Sequence, residues 1–222
     1  GTKWKGGNMA LGPGGGQKIN LLCDTIKDMK NDRIILVSDS YDVIMSANSE
    51  EILRKYKRFD SPLVFAAESA CWPDKNKEKL FMKVANRKNI YLNSGGFIGT
   101  VEAIKLILSR VEDFCDDQRY YTDVYFTNLG KKLIRLDYNC EIFQCLNDAE
   151  EELIINFEKS RAVNKLTNTE PCHIHGNGPE SRKLYLNSLE NYLMKNRTDI
   201  WGFNGKNKMS EESMKKNMII YI

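Results

Sequence analysis

The chain has 222 residues, 41% of them hydrophobic and 28% charged, which is enough for one domain with a substantial core and too apolar for wholesale disorder. Its 33 basic residues against 30 acidic ones give a formal net charge of +3, too balanced for bulk nucleic-acid binding, which needs a concentrated basic face. No apolar run reaches the roughly 18–20 residues of a membrane span, and no secretory signal is visible.

Residues 1–16 carry the glycine clusters Gly6-Gly7 and Gly14-Gly15-Gly16 around Trp4 and Pro13. They read as a loop, either an entry segment or backbone brought close to a ligand. It is not a Walker loop, because Lys18 is not followed by Ser or Thr. Ile19, Leu22, Cys23, Ile26 and Met29 then recur at helical spacing and predict a helix over Gln17–Lys30.

Ile34–Val37 is a continuous, β-branched apolar run, the pattern of a strand buried on both faces of a parallel sheet. It stops at Ser38-Asp39-Ser40-Tyr41-Asp42, so two carboxylates stand at the carboxyl end of a buried strand, where open α/β sheets place ligands. A divalent cation would keep both ionised. The same residues also read as a plain turn, with one carboxylate capping the next helix. Ser49 is expected to cap a helix with Glu50 and Glu51 in its first turn. Leu63–Ala67 predicts a strand, followed at once by Glu68. Cys71-Trp72-Pro73-Asp74 and the Lys-rich residues 75–88 form a long polar connection, a kind often functional.

In Asn93-Ser94-Gly95-Gly96-Phe97-Ile98-Gly99 the glycine pair allows positive φ or very close approach of a ligand to the backbone. Val101–Phe114 predicts a helix, which would leave Asp116 and Asp117 at its C-terminal end, the unfavourable end of its dipole. Strands are expected at Leu133–Leu136, Ile142–Leu146 and Leu153–Phe157, with the acidic residues 150–152 on a solvated edge. The only two histidines alternate in His173-Ile174-His175, and on a strand they point the same way. Lys183–Lys195 predicts a helix with Leu184, Leu189, Tyr192 and Leu193 apolar. The six cysteines show no CxxC pair and no zinc spacing, so free, buried thiols are expected.

A nucleotide-sugar transferase needs a divalent ion on the diphosphate. Asp39 and Asp42 offer oxygens and His175 a nitrogen, a set that suits manganese better than magnesium because imidazole prefers a transition metal. His175 also reads as an ordinary loop histidine.

Asp39-Ser-Tyr-Asp42-Val, Asn93-Ser-Gly-Gly-Phe-Ile-Gly99, Asp116-Asp-Gln118, Ile142-Phe-Gln144, His175-Gly-Asn-Gly-Pro179 and Gly14-Gly-Gly-Gln-Lys18 occur together in this chain. From about Trp4 to Tyr192 it resembles the glycosyltransferase domain of procollagen lysyl hydroxylases, and more distantly retaining transferases of the glycogenin kind. The resemblance implies an α/β fold of the GT-A type, a Rossmann-like, mostly parallel sheet with helices on both faces. It implies manganese held by Asp39, Asp42 and His175, and UDP-glucose as donor. Trp4 and Tyr41 would flank the uridine. Asn177, Gly178 and Lys183 would lie at the diphosphate, although two extra residues within 180–182 disturb the match at Lys183. Asn93, Ser94 and Gly95 would form the donor-sugar loop, and Asp116 and Asp117 would face the acceptor. A further strand with nucleoside contacts would precede Trp4. Nothing in the chain resembles the iron- and oxoglutarate-dependent hydroxylase part of those enzymes, so lysine hydroxylation is not expected.

The function expected from this is manganese-dependent transfer of glucose from UDP-glucose to galactosyl-hydroxylysine of collagen-like polypeptides. The alternatives are galactose transfer from UDP-galactose to hydroxylysine and a sugar-nucleotide-binding domain without turnover. Expected partners are a UDP-sugar and a collagen-like hydroxylysine polypeptide, with no nucleic acid and no membrane span. Residues 1–195 would be the transferase domain and 196–222 a C-terminal extension. Oligomeric state, a homo-oligomer included, stays open. The resemblance suggests the endoplasmic reticulum lumen, with the cytoplasm open to a microbial or viral protein.

Overall fold

The computed structural model describes residues 3–8, 12, 14–85, 88–178, 181–197 and 219–221. Five strands form the main sheet: β1 (Ile34–Ser38), β3 (Leu63–Glu68), β4 (Tyr91–Thr100), β5 (Ile134–Asp137) and β10 (Ile219–Tyr221), in the order β10-β1-β4-β3-β5. β10 is parallel to β1 and β5 parallel to β3, whereas β4 runs antiparallel to both β1 and β3. Four of the five strands thus share one direction, the mixed but mostly parallel sheet of a Rossmann-like GT-A fold.

Both faces of this sheet are covered. On one, Ile35, Val37, Phe65 and Phe97 pack against Ile19, Leu22 and Ile26 of α1 (Gly16–Ile26), Ile104 of α4 (Val101–Ile107) and Tyr121 of α5 (Asp117–Phe126). On the other, Leu36, Val64 and Ile98 pack against Ile52 and Tyr56 of α2 (Ser49–Tyr56) and against a small sheet of β2 (Val43–Met45), β9 (His173–His175) and β6 (Phe143–Cys145), in the order β2-β9-β6. Each large apolar side chain buried this way contributes about 1.5–3 kcal/mol. The hairpin of β7 (Leu153–Asn156) and β8 (Arg161–Asn164) and helix α7 (Ser181–Asn196) close a third cluster around Ile44, Ile174, Leu186, Leu189 and Leu193. Helices α3 (Glu78–Met82) and α6 (Asn128–Leu133) complete the order. All six cysteines are free, but only Cys140, Cys145 and Cys172 are buried, while Cys23, Cys71 and Cys115 are partly exposed. Among the described residues no helix is long and apolar enough to cross a membrane.

Several sequence expectations are corrected. The helix expected over Val101–Phe114 ends at Ile107. The Tyr120 hydroxyl donates to the Ile107 carbonyl at 2.7 Å and accepts the Ser109 N–H at 2.6 Å, so a side chain from α5 takes the place of the next helical turn. Asp116 and Asp117 therefore do not follow a helix; Asp116 is the N-cap of α5, accepting from the Arg119 N–H at 2.7 Å, at the end of the dipole that favours negative charge. Asn48, not Ser49, caps α2. The segment 93–99 is not a loop but part of β4. The polar connection contains α3, whose Phe81 stacks on Tyr125. Glu152 is buried rather than on a solvated edge; it pairs with Lys88 and accepts from Asn164.

Asp137 ends β5 and is fully buried. Its carboxylate accepts the backbone N–H groups of Glu141, Ile142 and Phe143 at 2.9, 2.7 and 2.9 Å, which fixes the turn into β6. Burial pushes this carboxyl up to about 6 against those three bonds. Asp137→Ala strands the donors, two of them in buried surroundings, and should cost about 3–5 kcal/mol. A urea titration should show the midpoint fall sharply at unchanged slope; an unchanged midpoint would mean that the turn holds itself.

Candidate active site

Asp39–Asp42 is the stretch in which the chain leaves the main sheet at the end of β1 and enters the small sheet at β2. This step between sheets exposes both carboxylates at their junction. Strand β9 pairs antiparallel with β2, placing His175 opposite Val43, and Gly176 N–H donates to the Asp42 carbonyl at 2.7 Å. His175 Nε2 is thereby 3.4 Å from Asp42 Oδ1 and 3.7 Å from Asp39 Oδ2. One donor atom from each residue lies within 4.8 Å of the others, and among the described residues this is the one group of three or more His, Cys, Asp or Glu side chains so arranged.

The chemistry of the set fits a divalent transition metal. Asn93 Oδ1 accepts the Gly95 N–H at 3.0 Å and lies 3.2 Å from His175 Nδ1, while Asn93 Nδ2 donates to Glu68 at 3.0 Å. The amide orientation is thus fixed, Nδ1 carries a hydrogen, and Nε2 is the nitrogen aimed at the carboxylates. Burial alone would lower the His175 pKa, but Asp42 and Asp39 outweigh it and bring it up to about 8. Burial, then the neighbouring His175, pushes His173 down to about 3. For Asp42, burial is outweighed by His175 and the carboxyl sits below its usual range.

The cluster stands in a cleft of about 680 Å³, whose lining includes Asn93, Ser94, Gly95, Asp116, Asp117, Asn177 and Gly178. At the other oxygen of Asp39 from His175, Lys18 Nζ is 2.8 Å from Asp39 Oδ1 and 2.7 Å from Asp117 Oδ2. Burial would lower the Lys18 pKa; the charges of Asp39 and Asp117 overcome it and raise it. Burial raises that of Asp117. Gly15, at φ 100°, lets residues 14–16 turn tightly against the start of α5, with Gly16 N–H on Cys115 O and Asp117 N–H on Gly14 O, and so delivers Lys18 to this point.

The family model for the PLOD GT domain matches residues 1–203. The chain belongs to the PLOD GT domain family. It is 42% identical over 197 residues to an uncharacterized protein of Acanthamoeba polyphaga mimivirus, covering 87% of this chain and 42% of that protein. It is 39% identical over 201 residues to mouse procollagen-lysine,2-oxoglutarate 5-dioxygenase 2, covering 87% and 27%. It is 40% identical over 201 residues to human multifunctional procollagen lysine hydroxylase and glycosyltransferase LH3, again covering 87% and 27%. The chain thus spans 27% to 42% of the length of these relatives. It is a glycosyltransferase-type domain of the lysyl hydroxylase family.

Within this PLOD GT domain, ten of the thirteen residues expected at the site meet in one cleft: Asp39, Asp42, Asn93, Ser94, Gly95, Asp116, Asp117, His175, Asn177 and Gly178. Trp4 and Tyr41 do not line it. Trp4 is half-exposed and donates its indole N–H to Gly7 O, and Tyr41 is 88% exposed at the cleft's edge between Asp39 and Asp42. Lys183 belongs to α7, and its side chain lies outside the described residues.

The structure adds Lys18, Glu68, Gln118 and Trp72 to the cleft. Glu68 is the hub. Buried at the end of β3, it accepts from Asn93 Nδ2 at 3.0 Å, Gln118 Nε2 at 2.8 Å and Asn177 Nδ2 at 2.9 Å. Burial raises its pKa, against the Asn93 and Gln118 donors. Asn177 also accepts from Leu146 N–H and Asn147 N–H at 3.0 and 3.2 Å, so both ends of its amide hold protein groups. The sequence signal for Glu68 was its place directly after a buried strand, the same position that Asp39 occupies after β1.

Proposed function

We propose that this domain is a manganese-dependent hexosyltransferase moving glucose from UDP-glucose to galactosyl-hydroxylysine of collagen-like polypeptides. The observation that carries the reading is the Asp39–Asp42–His175 cluster, closed to within 4.8 Å in the cleft of a PLOD GT domain. The hydroxylysine acceptor rests on relatives that bear the name of a procollagen lysine hydroxylase and glycosyltransferase. Residues 1–195 carry the transferase site in this reading, and the extension 196–222 brings Ile219–Tyr221 back to the main sheet as β10.

Asp39, Asp42 and His175 would hold the manganese, which when bound supplies charge neutralisation for the leaving diphosphate. His175 must present Nε2 without a proton to do so, and the Asn93 bond to Nδ1 leaves that nitrogen aimed correctly. Gly178, at φ 107°, brings backbone rather than a side chain toward the diphosphate, and Asn177 holds the rim at Leu146 and Asn147. Lys183 is assigned to the diphosphate as well. Ser94 and Gly95 face the donor sugar, with Asn93 and Gln118 holding their strand in place. Asp116 and Asp117 take the acceptor side. Asp117 is already paired with Lys18, so it orients the acceptor hydroxyl near the anomeric carbon rather than taking its proton.

Trp4 and Tyr41 are assigned to the uridine. The exposed Tyr41 ring is open to stack on a base. Tyr41→Ala should weaken UDP binding about tenfold, read by calorimetry, and leave the preferred sugar unchanged; unchanged UDP affinity would remove the ring from the nucleoside site. Asp117→Asn should cut transfer to a galactosyl-hydroxylysine peptide at least tenfold while manganese-dependent UDP binding stays within a few-fold. A wild-type transfer rate would remove Asp117 from the acceptor side.

UDP release in the presence of manganese, measured with and without acceptor peptide, tests the function itself. A transferase releases UDP faster with peptide. UDP binding with no release under either condition would mark a binding domain without turnover.

A further inference from the structure

Beside the Asp39–Asp42–His175 cluster lies the chain's other histidine. His173 is completely buried on β9, two residues before His175 and on the same side of the strand. Its Nε2 is 3.0 Å from Ser38 Oγ. The Ser38 hydroxyl donates its own hydrogen to the Asp39 carbonyl at 2.7 Å. The hydrogen between Ser38 and the ring therefore sits on His173 Nε2, and the ring donates. Nδ1 is left buried with no hydrogen-bond partner among the described residues. An unmade bond of that kind costs about 1–3 kcal/mol, which an apolar side chain of similar size would avoid.

The surrounding chain is shaped to accept this ring. Phe97 pairs with Phe65 and Asn93 with Ala66, so residues 94–96 stand as a bulge between consecutive partners on β3. The two adjacent glycines of that bulge open onto the two imidazoles. A Cβ on Gly95 would stand 2.2 Å from His175 Cε1, and one on Gly96 would stand 2.9 Å from His173 Cε1. Phe143, the β6 partner of His173, meets its ring edge-on at a centroid distance of 5.2 Å. The Ser38–Asp39 backbone is itself anchored on the bulge, with Ser38 paired to Gly96 and Asp39 N–H donating to Gly95 O at 3.0 Å.

We propose that His173 is a positioning residue for the cation site: by donating from Nε2 to Ser38 it fixes the Asp39 peptide, and with it the direction in which Asp39 presents Oδ2 beside His175. Lys18 holds the other oxygen of Asp39 and Gly95 O its N–H, so the Ser38–His173 bond is the support at the Asp39 carbonyl. The proposal rests on the reading of Asp39, Asp42 and His175 as the cation's ligands.

Calorimetric titration of the 222-residue chain with manganese tests it. The comparison takes the wild type, His173→Leu, His173→Gln, Ser38→Ala, the His173→Leu/Ser38→Ala double variant and, as reference, Asp42→Asn. Loss of an outer support typically weakens metal binding about 10–100-fold. His173→Leu and Ser38→Ala should each fall in that range, and the double variant no further than either alone, since all three break the same link. His173→Gln can still donate a hydrogen to Ser38 and should stay within a few-fold of wild type. Wild-type affinity in a folded His173→Leu chain, additive losses in the double variant, or a Gln variant as weak as Leu would each overturn the proposal. If His173→Leu does not fold, Ser38→Ala carries the test, because it breaks the link and leaves the ring in its seat; wild-type affinity there overturns it. Undiminished affinity in Asp42→Asn would instead overturn the cation reading on which the proposal stands.

Discussion

Asp42→Asn should reduce sugar transfer about a thousandfold or more while leaving the fold intact. A cation on a leaving diphosphate stabilises the developing charge by several kcal/mol, and a loss of about 4 kcal/mol is a thousandfold in rate. The substitution removes one of the two carboxylates in the set and keeps its shape. The amide oxygen it introduces could still accept from His175, and the backbone bond from Gly176 N–H to the residue 42 carbonyl is untouched. The Asp42 side chain is about one-quarter exposed, so little core is disturbed. The melting temperature should therefore move by no more than a few degrees. Asp39→Ala should abolish transfer too, but it also strips one partner from the buried Lys18 and will cost more stability. Undiminished UDP release in the Asp42 variant, with or without chelator, would exclude the metal assignment.

Glu68→Ala should be nearly as damaging to activity and far more damaging to the fold. Three amides, the buried ones of Asn93 and Gln118 and the partly buried one of Asn177, lose their common acceptor at once. Each stranded donor costs about 1–3 kcal/mol. Because they share one acceptor, the sum is not additive, and about 3–5 kcal/mol is expected. The chemical consequence follows from the chain of contacts. Asn93 freed from Glu68 no longer fixes His175 Nδ1, and Gln118 no longer holds the Ser94 backbone. Transfer should fall about a hundredfold or more in the fraction that folds. Glu68→Gln should not restore it, because its NH₂ group would face donors. Wild-type kinetics in a folded Glu68→Ala chain would show that Asn93 and His175 are held without the hub.

What could be read from the sequence was whatever depends on neighbours in the chain. The β-branched run at Ile34–Val37 became β1, and Leu63–Ala67 became β3. The alternation of His173 and His175 placed both rings on one side of β9. Contacts between distant segments were legible only where the family resemblance joined them, as for Asp39, Asp42 and His175. The helix from Val101 continues by periodicity, and contacts from distant segments replace its next turns, the Tyr120 hydroxyl on Ile107 and Ser109 and the Asn20 amide on Val111. The glycines at 95 and 96 look like loop residues because glycine is weak in strands, yet they serve a bulge that makes room for two imidazoles. Asp116 did carry a local signal, since Asp is a favoured N-cap, and Tyr121 and Tyr125 at helical spacing mark the helix it begins. Glu68 carried only its place after a buried strand and Lys18 nothing comparable, since each acquires its role from residues tens of positions away.

The most direct test is a donor screen on the wild-type chain. Incubation of a galactosyl-hydroxylysine peptide with manganese and UDP-glucose, followed by mass spectrometry, should show one added hexose. The same peptide with UDP-galactose, or with chelator, should stay unmodified. Modification of a bare hydroxylysine peptide by UDP-galactose alone would move the assignment to galactose transfer. No hexose on either peptide from either donor, with manganese present and the chain folded, would contradict the account.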